Sequence, residues 1–383
     1  MSSKLSSVDS LARPPAARSK DNAVKRFFHA TYEGYEQISG PVRVWLVIGL
    51  VMIFVQVFVG GVTRLTGSGL SITKWEIVTG TLPPLNAAQW QHEFDLYKAT
   101  PQYKLINSGM SMSAFKFIYF WEYIHRLWAR SMGFVFLLPF LFFWRKGMLP
   151  KRLMRQLGIV VSLAALVASF GWIMVASGLI DRPWVNAYKL TMHLSLAFIL
   201  YSYLLWTTFE TFQVKQEVIH RPLLRTLGIY LTAVLALQII LGGMMSGMKA
   251  GLTYPTWPDM NGEWFPAMLF TSASWNVENF VAYDSHPFMR TLTQFLHRGT
   301  AYLLIIISLF FFYKASKGKR TPLFNNGLYL LGTMLIIQVL LGIFTVINCK
   351  GSIPVGLGVL HQAGALLLLS CSLFVNYQLR KTK

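Results

Sequence analysis

Two cysteines in 383 residues leave little room for thiol chemistry. Cys349 falls in a loop, whereas Cys371 lies some 17 residues beyond Pro354, about 25 Å deeper at about 1.5 Å per helical residue, so no structural disulfide is expected. Charge is scarce too. Only 13% of residues are charged against 54% hydrophobic, a balance that excludes a soluble globular domain and marks an integral membrane protein. Acidic residues are scarcest of all, 15 against 35 basic, for a net charge of +20. The basic residues lie in short flanking clusters and do not form an aromatic-interleaved surface, so the charge reflects topology and anionic lipid; no nucleic-acid partner is expected. No cleavable signal peptide is expected either, because the first apolar run begins about 40 residues in and is long enough to span. The arm before it bears Ser, Ala and Arg like a transit peptide, but Asp9 and Asp21 interrupt it, and it reads as a solvated tail.

What is present is long apolar sequence. Eight stretches can cross about 30 Å of hydrocarbon: Val42–Val62, Phe115–Trp144, Leu153–Ala176, Tyr188–Phe209, Thr226–Met248, Phe288–Tyr313, Gly327–Ile347 and Ile353–Tyr377. An even number puts both ends on one side. The N-terminal arm, Arg145–Lys146, Lys151–Arg155, Lys215–Arg225, Lys314–Arg320 and the tail from Arg380 hold the majority of the Lys and Arg, all on that side, which makes it the cytoplasm, or the matrix in an organelle. The expected organisation is a basic arm 1–41, an N-terminal half 42–212, a cytoplasmic linker 213–225, a C-terminal half 226–377 and a tail 378–383.

The two halves repeat. Gln56-Val-Phe-Val-Gly60-Gly61 in the first stretch recurs as Gln238-Ile-Ile-Leu-Gly242-Gly243 in the fifth, with a shorter version, Gln338-Val-Leu-Leu-Gly342, in the seventh and a looser one, Gly171 to Gly178, in the third. The even stretches carry one histidine each: His125, His193, His297 and His361. The separation of His125 from His193 nearly equals that of His297 from His361, and all four fall at similar depth. Two parallel four-helix bundles related by an axis along the membrane normal follow, each with two opposed imidazoles able to hold a haem iron by both faces. The fold class is therefore all-α integral membrane, eight transmembrane helices as two pseudo-symmetric four-helix bundles. His29, His92, His220 and His286 fall outside the stretches or at their edge and read as solvated.

Residues beside the four histidines admit more than one role. The glycine pairs Gly60–Gly61 and Gly242–Gly243 allow either close helix packing or a flat macrocycle against the backbone. Glu122 precedes His125 by one helical turn and is either paired with an arginine or placed for chemistry; its counterpart is the neutral Gln294, an asymmetry that implies a reacting first half and a binding second half. Arg126, Arg298 and Arg64 are candidates for haem propionates, or equally for a glutamate partner or the interface.

Gln56 through Leu70, Glu122-Tyr-Ile-His125-Arg126, Thr191-Met-His193, Gln294-Phe-Leu-His297-Arg298 and Leu360-His361-Gln362 together resemble the haem A synthase family across nearly the whole span from Val42 to Tyr377. The resemblance implies a membrane oxidoreductase of the inner membrane that converts the C8 methyl group of haem O to a formyl group, giving haem A for terminal oxidases. It implies a haem b cofactor held by His297 and His361, and substrate haem O received between His125 and His193. Glu122 would then stand beside the substrate, moving protons or stabilising positive charge while the methyl is hydroxylated twice and the gem-diol loses water. Haem O synthase and oxidase assembly factors are the partners it implies, with room for a homo-oligomer. Some family members carry a cysteine pair in the first outer loop; Thr66 to Lys116 here holds none, as in the cysteine-free branch of proteobacteria and mitochondria. Two other functions compete. A di-haem electron-transfer cytochrome commonly places two histidines on one helix, which no stretch here does, and a haem carrier needs no second, permanently bound haem.

Overall fold

The computed structural model describes residues 38–74, 81–180, 182–212 and 219–380. Residues 1–37 of the basic arm, with His29, residues 213–218 of the linker, with Lys215, and residues 381–383 of the tail lie outside the described residues. Ile38–Lys383 form one compact unit. Eight helices among the described residues are long and apolar enough to cross a membrane: α1 (Gly40–Leu65), α2 (Met112–Arg145), α3 (Lys151–Gly178), α4 (Ala187–Phe212), α5 (Pro222–Gly247), α6 (Phe288–Ser316), α7 (Pro322–Ile347) and α8 (Val355–Leu379). Each overlaps one of the eight apolar stretches. Most run a few residues longer, because polar caps and basic flanks at the interface are helical yet not hydrophobic. Ser111 accepts from the Ala114 amide to start α2, and Thr321 accepts from the Phe324 amide to start α7, with Pro322 in its first turn.

Helix packing repeats along the chain. In the first half α1 packs on α2 and α4, and α3 on α4; in the second, α5 packs on α6 and α8, and α7 on α8. The halves meet through α4 on α5, α8 on α1 and α4 on α8. Consequently α1, α4, α5 and α8 form the centre, with 33–44% of their most apolar windows buried, against 6–17% in α2, α3, α6 and α7. The α4–α5 crossing is close because the glycines of α5 face it: a Cβ on Gly247 would lie 2.7 Å from Ala187 Cα, and one on Gly243 3.3 Å from Thr191 Cα.

The main hydrophobic core occupies only part of the bundle's length. Its members, among them Leu46, Leu157, Leu204, Phe311, Phe324 and Leu366, come from the beginnings of odd helices and the ends of even ones, which is the side where the chain enters and leaves. On the opposite side, loops form separate caps. Phe94 and Tyr97, from a helix at Ala87–Lys98, stack on Phe115 of α2, and Tyr283 and Met248 pack with Phe288 and Ala187. The four histidines lie in the layer between core and caps.

Candidate functional site

Each histidine of an even helix stands against a glycine of the odd helix before it. A Cβ on Gly60 would lie 3.0 Å from His125 Nε2, on Gly171 2.9 Å from His193 Cε1, on Gly242 3.4 Å from His297 Cε1, and on Gly342 3.0 Å from His361 Cε1. These glycines seat imidazoles. The second glycine of each pair faces the other half instead, Gly61 towards Gln362 of α8 and Gly243 towards Thr191 of α4. Thus the pairs divide between a ring seat and a helix crossing. In α3 the seat is Gly171 itself, and the Ser177–Gly178 end of the looser repeat packs elsewhere, with Gly178 against Leu70.

One turn before each glycine stands a polar contact to the ring. Gln56 Nε2 lies 3.0 Å from His125 Nε2 and donates to His125 O at 3.2 Å. Gln238 Nε2 lies 3.3 Å from His297 Nε2, and Gln338 Nε2 lies 3.1 Å from His361 Nδ1 while donating to His361 O at 2.9 Å. In α3 that position is Val167, whose carbonyl takes a hydrogen bond from His193 Nδ1 at 3.0 Å. A carbonyl only accepts, so Nδ1 carries the proton and Nε2 keeps its lone pair.

His297 and His361 face each other with ring centres 6.4 Å apart and planes at 80°. Two metal–imidazole bonds of about 2 Å, with about 1 Å from each nitrogen to its ring centre, span roughly 6 Å. His297 Nδ1 is buried with no hydrogen-bond partner, and both histidines are partly buried. Donor type, separation and the orphaned nitrogen all fit a bis-imidazole haem. His125 and His193 likewise stand partly buried on α2 and α4.

Glu122 is paired. Its Oε1 accepts from Arg126 Nη2 at 2.7 Å, and its Oε2 accepts from the Ser71 amide at 2.7 Å, the Ser71 hydroxyl at 2.7 Å and the Ile72 amide at 2.9 Å. Arg126 also donates to Ile72 O and Lys74 O, each at 3.0 Å. An unpaired carboxylate in a span costs roughly 2.5–3.5 kcal/mol, and a hydrogen bond to a charged group contributes about 1.5–3 kcal/mol, so four contacts outweigh the burial. Together they fasten the segment after α1 to α2. The second half has the same lock with reversed polarity: Gln294 Nε2 donates to Tyr254 O at 2.8 Å, while Arg298 donates to Tyr254 O at 2.8 Å and Asp259 O at 2.6 Å. Position 122 meets amide N–H groups and position 294 meets a carbonyl, which requires an acceptor in one and a donor in the other. Arg64 donates to Ser246 O at 2.9 Å and Gly247 O at 3.1 Å, capping α5.

A family model described as cytochrome oxidase assembly protein matches residues 43–373. The chain is 39% identical to a Heme A synthase of Flavobacterium johnsoniae over 89% of its own length and 98% of the relative's. It is equally identical to a Heme A synthase of Nitrosospira multiformis, over 90% and 95%, and to one of Bradyrhizobium diazoefficiens, over 88% and 91%. This chain belongs to the haem A synthase family.

Membership makes it a multi-pass membrane oxidoreductase concerned with haem. His92 and His220 are exposed. His286 is not simply solvated, since its Nδ1 accepts from the Phe288 amide at 3.1 Å and so caps α6. Cys349 and Cys371 are both free; Cys349 is buried, its Sγ donating to Thr345 O at 3.2 Å, and burial pushes its thiol up, away from nucleophilic use. The residues that sequence reasoning passed over are Gln56, Gln238, Gln338 and the Val167 carbonyl. The repeat of Gln four residues before Gly was visible, but nothing in one dimension aims those amides at histidines.

The glycine seats carry a direct expectation. Gly342→Val places branched carbon against His361 and is expected to reduce bound haem several-fold, measured as pyridine haemochrome per purified protein. Gly356→Ala on α8, where an added Cβ meets nothing within 4 Å, is expected to keep the wild-type content. Equal haem in the two variants would show that the seat is irrelevant to the ligand.

Proposed function

We propose that this family member oxidises the C8 methyl group of haem O to the formyl group of haem A, with His297 and His361 holding a resident haem b and His125 and His193 receiving the substrate. The observation that carries the reading is the 6.4 Å separation of the His297 and His361 rings with His297 Nδ1 unpartnered. A bound haem b would supply one-electron transfer at that position. The chain's own residues do the rest. Gly242 and Gly342 admit the rings, Gln238 and Gln338 orient them, and the main core below excludes water from the terminal side. In the first half, His125 and His193 orient substrate iron, and the Glu122–Arg126 lock holds the Ser71–Ile72 segment over the same end of α2.

Orientation follows from charge. Arg145, Lys146, Arg152, Arg221, Lys314 and Arg320 flank the helices on the side of the main core, which makes that side cytoplasmic in a bacterial inner membrane, or matrix in a mitochondrion. The substrate pair then lies toward the opposite face. Haem O synthase and oxidase assembly factors are the partners that this position in haem biosynthesis implies.

Pigment extraction from the purified protein, followed by chromatography, tests the reading: haem b together with haem A or haem O supports it, and haem b alone in the presence of available haem O would favour a plain cytochrome. Glu122→Gln belongs in the same experiment. An amide turns a donor towards groups that need an acceptor, at about 1–3 kcal/mol per lost contact. The variant is expected to keep haem b and to lose most haem A, because the changed lock is in the first half. A hydroxymethyl haem recovered from it would put Glu122 at the later oxidation. Undiminished haem A would leave Glu122 the single role of holding the loop.

A further inference from the structure

We infer that Gln362, although it follows His361 in the second half, is a positioning residue for the substrate half: it holds the turn of α1 that seats His125. The inference rests on the reading of His125 as a contact of the substrate iron. Gln362 Nε2 reaches out of its own bundle and donates to Val57 O of α1 at 2.7 Å. A helical carbonyl that already takes the amide four residues on has a second lone pair to offer, so α1 gives up none of its own bonds.

A second observation is the room made for that bond. A Cβ on Gly61 would lie 3.1 Å from Gln362 Nε2 and 3.4 Å from its Cδ, so a side chain there pushes the amide back by a few tenths of an ångström. The same turn carries both supports of the substrate histidine: Gly60 faces the His125 ring, and Gln56 Nε2 donates to His125 O at 3.2 Å. Successive helical residues point about 100° apart, so Gly60 faces His125 while Gly61 faces Gln362. The turn from Gln56 to Gly61 is gripped on two sides, by the histidine it seats and by the opposite half.

The matching crossing is made differently. Gly243 of α5 meets Thr191 of α4 by packing, and the Thr191 hydroxyl turns back to Ala187 O of its own helix at 2.8 Å. The hydrogen bond between halves thus goes to the seat whose ligand has to enter and leave. A resident haem keeps its two imidazoles in place by its own axial bonds, whereas a substrate site stands empty between turnovers. A seat held in register from outside spares the incoming haem the cost of ordering it.

The test adds haem O to the purified holoprotein, with haem b in place, and reads the affinity and spin state of the added haem. Gln362→Met keeps the length of the side chain and has no donor. It is expected to weaken haem O binding roughly 2- to 10-fold, the worth of one hydrogen bond, and to lower the six-coordinate share of the bound haem O. Haem b content, spectrum and midpoint potential are expected to stay as in wild type. Gly61→Ala, which displaces the amide, is expected to do the same, and to add nothing in a Gln362→Ala background. Unchanged haem O affinity and spin state in both Gln362→Met and Gly61→Ala overturn the inference. So does a moved haem b potential with haem O binding intact, which would make Gln362 a partner of His361 alone, and so do additive losses from Gly61→Ala and Gln362→Ala. Should Gln362→Met fail to assemble, Gly61→Ala decides, since Ala favours a helix. His125→Ala is the control for the reading beneath: haem O bound there as in wild type would refute His125 as a substrate contact, a failure distinct from an inert Gln362.

Discussion

His297→Ala and His361→Ala will each remove the tightly bound haem b from the purified protein. The two rings stand 6.4 Å apart, so neither helix offers a substitute donor at that distance once one is lost. Among the described residues no group of three or more His, Cys, Asp and Glu is placed to hold a metal ion, and Gln238 and Gln338 present amides, poor ligands for haem iron. An axial bond worth more than about 3 kcal/mol takes more than about a hundredfold in affinity with it. The check is the reduced-minus-oxidised spectrum with the haem-to-protein ratio. Full bis-imidazole absorbance in both variants would refute the assignment of the resident site to the second half.

The matching substitutions in the first half will have the opposite signature. With His125→Ala or His193→Ala, haem b content and spectrum stay near wild type while haem A formation is abolished, because the second half's ring seats, Gly242 and Gly342, are on α5 and α7 and are untouched. The loss should exceed that caused by Glu122→Gln, which leaves both substrate imidazoles in place. Haem analysis of membranes expressing each variant, alongside spectra of the purified proteins, measures both quantities at once. If all four histidine variants bleach equally, the division into substrate and cofactor sites is wrong.

How much of this was legible differs by kind of feature. The eight spans were plain, since a window of apolar residues long enough to cross hydrocarbon is a one-dimensional property; the ends were less so, because Ser111, Thr321 and the proline-led turns are helical without being hydrophobic. The four histidines stood out because an imidazole in such a window is costly unless it is used or satisfied. The glycine pairs were visible as a repeat, but their dual use was not: whether Gly60 faces His125 while Gly61 faces Gln362 depends on which helices pack on either side of α1. Likewise the difference between Glu122 and Gln294, which the sequence presents as reactive against inert, also corresponds to loops that offer N–H groups in one half and a carbonyl in the other. The helix at Ala87–Lys98 went unremarked because its burial comes from stacking on α2 and not from hydrophobic periodicity of its own.

By itself the sequence determined that this is an eight-span membrane protein with recurring Gln-to-Gly motifs, one histidine on each even helix and a family motif around each. Those properties follow from composition, window length and spacing, all local to the chain. Only the tertiary structure decided what each polar residue near the histidines touches. The arginines at 64, 126 and 298 hold backbone carbonyls of loops and a helix end, and the glutamines reach rings on the neighbouring helix. A hydrogen bond forms within about 3 Å and in one direction, and residues tens of positions apart acquire that proximity only when α1 packs on α2 and α4, and α5 on α6 and α8.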